Sequence, residues 1–106
     1  MSVENKLEEC KVICLCGSTR FKKEFEEVNR ALTLQGHIIL APGVFGHADK
    51  IMITEQQKKD LDKLHFEKID MSGCIYIVHK EGYIGSSTKA EIEYAKNNGK
   101  PIFYMK

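Results

Sequence analysis

"KVICLCGSTRFKKEFEEVNRALTLQGHIIL", residues 11–40, decides the fold. Its first part, KVICLC (11–16), is a short apolar run that stops at Gly17. Valine, isoleucine and cysteine occupy both faces of that run, which suits a strand buried on two sides. The next part places Phe21, Phe25, Val28 and Leu32 at i, i+4, i+7 and i+11, the single apolar stripe of a helix. Gly36 is positioned to end that helix. HIILA (37–41) then reads as a second buried strand, closed by Pro42 and Gly43.

The alternation continues along the chain. Residues 42–53 form a long loop, and Thr54 opens a helix with Gln57 at capping-box spacing. This helix runs to about Ser72, and CIYIVH (74–79) follows as a third strand. A loop over 80–88 leads into a helix that reaches about Asn98, with Gly99 as its cap. PIFYMK (101–106) is the last strand. Strands alternating with helices imply right-handed crossovers and a parallel sheet. The expected fold is α/β: a small flavodoxin-like or Rossmann-like three-layer sandwich with a parallel sheet of four to five strands. One domain spans 1–106. Ligands in such sheets sit at the carboxyl ends of the strands, so the loops 16–20, 42–53 and 80–88 are where a site is expected.

Bulk properties narrow the function classes. The formal net charge of +1 gives no field for gripping a nucleic acid polymer. No apolar run approaches the roughly 18 residues of a membrane span, so no membrane partner is expected. The amino-terminal MSVENKLEEC is charged and has no apolar signal core, which points to the cytoplasm. Cys10, Cys14, Cys16 and Cys74 form no C-x-x-C pair, and His37, His47, His65 and His79 are scattered along the chain. Buried reduced thiols are therefore expected, with no disulfide, no metal site and no cofactor.

Two hydroxyl-rich loops carry the chemical signal. Gly17, Ser18, Thr19 and Arg20 lead into the first helix, where free N–H groups and an arginine suit a phosphate or carboxylate. A solvated arginine beside a capped helix start accounts for them equally well. The second loop offers Tyr83 as a stacking face, Gly85 for close backbone approach, and the hydroxyls of Ser86 and Ser87. Glu91 follows Thr88 by three residues, the spacing of a capping box. The same place suits a nucleophilic carboxylate, because a helix N-terminus favours the ionised form. His65 lies on the buried stripe with Leu61 and Ile69. It is either a core histidine or a group that moves a proton near neutral pH. Phe45 is a further candidate for stacking on a base. His47, also in the long loop, would contact a ligand if that loop closes.

These loops and their spacing resemble the nucleoside 2-deoxyribosyltransferase superfamily, which includes the 2'-deoxynucleoside 5'-phosphate N-hydrolases. The resemblance runs from CLCGSTRF to GKPIFYM. It is most specific in Gly17-Ser18-x-Arg20 and in Ser87-Thr88-x-x-Glu91 with Ala95 and Gly99-Lys100-Pro101. It implies that Glu91 is the nucleophile on the anomeric carbon of a nucleoside or nucleoside 5'-monophosphate. Gly17, Ser18 and Arg20 would then bind substrate, and Ser86 and Ser87 would grip the 5'-phosphate. Family members assist the departing base with an aspartate about two dozen residues before the nucleophile. Here His65 stands 26 residues before Glu91, and Gly73 replaces a second usual aspartate at the start of the third strand. The expected function is hydrolysis or transfer at an N-glycosidic bond, with either His65 replacing the acid or the base activated differently, and a homo-oligomer completing the site. A non-catalytic nucleotide-binding module that has lost the acid is the alternative.

Overall fold

The computed structural model describes residues 6–106. Residues 1–5, half of the segment read above for an export signal, lie outside the described residues. A 3-10 turn at Leu7–Glu9 precedes the first strand. The strands are β1 (Val12–Gly17), β2 (Ile38–Leu40), β3 (Cys74–Val78) and β4 (Ile102–Tyr104). The helices are α1 (Lys22–Leu34), α2 (Gly46–Asp49), α3 (Glu55–Met71) and α4 (Ser86–Asn97). All four strands are parallel, in the order β2-β1-β3-β4. This is the expected α/β sheet flanked by helices.

The sequence of β1 explains its central place. Ile13, Cys14, Leu15 and Cys16 are all fully buried, because successive side chains point to opposite faces and both faces are covered. Ile13 and Leu15 pack with Phe21, Phe25 and Leu32 on the α1 side. Cys14 and Cys16 pack with Ile69 of α3 and Ala95 of α4 on the other. The chain steps from β1 outward to β2, then back across β1 to β3. Right-handed crossovers put α1 on one face and α3 and α4 on the other, and leave a crevice between the carboxyl ends of β1 and β3.

The helix ends follow the sequence signals closely. Thr54 and Gln57 form the reciprocal capping box of α3. Gly36 and Gly99 adopt φ values of 99° and 69°. At α1, Gly36 N–H donates to Thr33 O and His37 N–H to Leu32 O. At α4, Gly99 N–H donates to Lys96 O and Lys100 N–H to Ala95 O. Both are Schellman motifs, which glycine completes without steric penalty.

Three expectations change. The loop 42–53 contains the four-residue helix α2, held to α1 by the ion pair Lys22–Asp49 at 2.9 Å. β2 and β4 are three residues long, shorter than the runs 37–41 and 101–106, because edge strands pair on one side only. Cys10 and Cys74 form a disulfide, while Cys14 and Cys16 are free and buried. The expectation of four reduced thiols missed this because Cys10 and Cys74 are 64 residues apart. Parallel pairing of β1 with β3 brings their Cα atoms to 6.3 Å, within bridging range. No helix among the described residues is long and apolar enough to cross a membrane.

Candidate active site

A cavity of about 850 Å³ opens at the carboxyl edge of the sheet, bounded by the β1–α1 turn, the α2 loop, α3 and the start of α4. It falls in the size range of small-molecule sites, roughly 300–1,000 Å³. Gly17, Ser18, Arg20, His47, His65, Tyr83, Gly85, Ser86, Ser87 and Glu91 all line it. Phe45 does not. Its ring packs edge-on against Phe25, with centroids 5.3 Å apart, so it belongs to the α1 side of the core. His47 is exposed on α2.

At the turn after β1, Gly17 sits against Val78 in the β1–β3 register. A Cβ at position 17 would run into the Val78 carbonyl oxygen, so the close strand approach requires glycine. Ser18 Oγ accepts from the Arg20 backbone N–H at 3.3 Å and from its Nε at 3.0 Å. The Arg20 guanidinium lies 4.4 Å from the centre of the Tyr83 ring, and Tyr83 meets Phe21 edge-on at 5.9 Å. Arg20 therefore occupies the aromatic face expected to receive a base. The stack instead anchors the guanidinium at the rim, with its remaining N–H groups free to meet an anion.

Helix α4 begins one turn earlier than its capping pattern indicates. Its N-cap is Gly85, without a side-chain hydrogen bond, and Glu91 is the sixth helical residue. Glu91 therefore caps nothing. Thr88 is buried within the first turn. Ser86, Ser87 and Thr88, each a favoured cap residue, all fall inside the helix, and Gly85 takes the cap position with no side chain to signal it. Helical spacing turns Glu91 inward, where it is 9% exposed on the cavity wall.

His65 comes from α3 to meet it. Its Nε2 lies 3.9 Å from Glu91 Oε1, 3.6 Å from Cys14 Sγ and 3.3 Å from Cys16 Sγ. Burial pushes the Glu91 carboxyl up to about 7, with the nearby His65 charge partly offsetting it. Burial works against a charged His65, but the Cys14 contact and the Cys14 and Glu91 charges outweigh it, so the imidazole is raised above its ordinary value. The Cys14 thiol is lowered to about 6, chiefly by a hydrogen bond from Cys16 and then by His65, against the cost of burial. Cys16 is correspondingly raised. The helix terminus does not keep Glu91 ionised as expected. Glu91 is past the first turn, where the helix dipole acts, and desolvation dominates.

Lys58 is the residue that sequence reading missed. Its Nζ bonds Asp62 Oδ1 at 2.6 Å and Ser87 Oγ at 3.1 Å, tying α3 to the start of α4. The i, i+4 pair Lys58–Asp62 was a readable signal. Asp62, the partner of Lys58, also faces the site. It is three residues before His65 and therefore on the same face, lining the cavity. Asp70 faces elsewhere, accepting from Tyr94 Oη at 2.7 Å. The four histidines remain scattered, but the fold places His65 against two free thiols, giving a cluster of three metal-ligating side chains. No known family model and no curated protein matches this chain.

Proposed function

We propose that the protein cleaves the N-glycosidic bond of a nucleoside or nucleoside 5'-monophosphate, with Glu91 as nucleophile and His65 as proton donor. The observation that carries this reading is the buried Glu91 carboxylate beside His65 on the wall of a ligand-sized cavity. In the first step a Glu91 oxygen bonds to C1' as the C1'–N bond breaks. The bond's electron pair leaves with the base, which takes a proton from His65. In the second, water attacks C1', gives a proton to neutral His65 and frees the carboxylate. A sugar acceptor in place of water makes the reaction a transfer. This follows the double displacement of retaining glycosidases. Arg20, Lys58, Ser86 and Ser87 line the same cavity and offer donors for the 5'-phosphate. Exposed Ile51, Met52 and Leu64 beside the mouth give a second copy apolar surface to cover, which supports a homo-oligomer.

The resemblance in the two loops motivates the substrate class, and the reaction needs a specific protonation state. Glu91 must be ionised while His65 is protonated, so the rate should peak near neutrality, where burial has set the carboxyl at about 7. The test is release of free base from a panel of nucleosides and monophosphates between pH 5 and 9. Release that is lost in Glu91→Gln supports the reading. No release from any substrate, or equal release by Glu91→Gln, overturns it. The engagement of His65 Nε2 by two thiols favours the second reading, a nucleotide-binding module without turnover. Thermal stabilisation by a monophosphate without base release would establish that alternative.

A further inference from the structure

We infer that Cys14, Cys16 and His65 form a binding site for a thiophilic divalent metal ion of the zinc class, with its fourth position open to the cavity. The site does not depend on the N-glycosidase reading. It follows from the geometry of three donors that β1 and α3 bring together.

Cys14 and Cys16 are two residues apart on a strand, so their side chains leave the same face. His65 crosses over them from α3. The sulfur and nitrogen donor atoms all lie within 4.8 Å of one another. A tetrahedral zinc ion with bonds of about 2.3 Å to sulfur and 2.0–2.1 Å to nitrogen needs sulfur–nitrogen edges of about 3.5 Å. The observed edges are 3.6 Å from Cys14 and 3.3 Å from Cys16. Both sulfur–nitrogen edges therefore match a tetrahedral ion held between the three atoms.

The surroundings favour a soft, closed-sided site. Cys14 and Cys16 are fully buried, and Ile69, Ile75, Ile77 and Ala95 pack around them. Sulfur donors in such a setting select thiophilic ions over magnesium or calcium. His65 and Glu91 line the cavity, so an ion enters from that side. Glu91 Oε1 is 3.9 Å from Nε2, beyond the roughly 3.4 Å edge of an oxygen–nitrogen pair on zinc. The fourth position therefore suits a water molecule, with the Glu91 carboxylate beside it. Binding occupies the lone pair of His65 Nε2, so the metal-bound protein cannot use that nitrogen to carry a proton.

The experiment titrates the purified protein, with its Cys10–Cys74 bridge intact, with zinc alone and with cobalt alone. One equivalent of zinc per chain is expected to bind and to shield two thiols from alkylation. Cobalt is expected to give the near-ultraviolet thiolate-to-metal absorption and the strong visible bands of a tetrahedral site. Cys14→Ala and His65→Ala should each weaken binding at least tenfold, a loss of about 1.4 kcal/mol. Circular dichroism checks that each variant is folded. Should a cysteine variant lose its fold, the wild-type cobalt spectrum decides alone. Absence of saturable binding overturns the site. So does a weak octahedral cobalt spectrum, or undiminished binding by a folded Cys14→Ala/Cys16→Ala protein.

Discussion

Replacing Glu91 by glutamine should stabilise the protein at alkaline pH and leave it nearly unchanged at acid pH. The ordinary value of the carboxyl is 4.5, and burial raises it to about 7 in the fold. A raised carboxyl favours the protonated state of the folded protein. Its stability is fully present below the unfolded value and falls as pH rises through the folded one. The difference of roughly 2.5 units corresponds to about 3 kcal/mol when both states are ionised, at 1.36 kcal/mol per unit. Most of that loss accumulates between pH 5 and pH 8. Glutamine keeps the shape and never ionises. Urea denaturation of both proteins at pH 5, 6, 7 and 8 is the measurement, with the difference in unfolding free energy read at each pH. Groups that titrate alike in both proteins cancel. The variant should gain on the wild type as pH rises, by about 2–3 kcal/mol over this window. His65 loses a negative neighbour in the variant, which removes part of its own upward shift and trims the gain. A difference that stays flat with pH, or that favours the wild type at pH 8, would refute the assignment of burial as the dominant influence on Glu91.

Arg20→Ala should reduce kcat/KM for a nucleoside 5'-monophosphate about 10- to 100-fold, the size of one lost bond to a charged group. The matching nucleoside should be affected much less, and steady-state kinetics on the pair separates a phosphate role from loss of the Tyr83 stack. Thiol titration of the denatured protein without reductant should find two thiols, and four after reduction. Opening a bridge that spans 64 residues should cost about 4 kcal/mol on the chain-entropy estimate, measured by urea melts of oxidised and reduced protein. Gly17→Ala should destabilise by about 1–3 kcal/mol, because its methyl group meets the Val78 carbonyl across the β1–β3 pair. A thermal melt should show a fall of about 5 °C or more, and an unchanged midpoint would contradict the close strand approach.

The fold was legible because local pattern and global arrangement agree. The two-sided apolar β1, the stripe of α1 and the glycines at 36 and 99 each have one physical solution, and the structure adopts it. The site was legible only where loop chemistry and topology coincide. Parallel order alone places Gly17–Arg20 beside Ser86 and Ser87. Tertiary proximity accounts for what was missed. The Cys10–Cys74 bridge, the thiols around His65 and the Lys58–Ser87 bond each join residues at least 29 apart. Phe45 was misassigned because a loop aromatic is equally able to face a ligand or the core, and Phe25 decided between them. The capping pattern at Thr88 failed because the helix starts earlier, with Gly85 at the cap and the hydroxyls of residues 86–88 inside the first turn.

The alternation of β1 has a consequence for how the chain can change over time. Ile13 and Leu15 belong to the half that packs on α1, and Cys14 and Cys16 to the half that faces α3 and α4. The strand thus works as a partition wall. Behind it lies a largely apolar half that supports the fold, and in front of it lies the half that holds Glu91, His65 and the two free thiols. Substitutions that retune the front need not disturb the hydrophobic contacts behind. A new chemistry can be tried on one side while the other keeps the molecule standing.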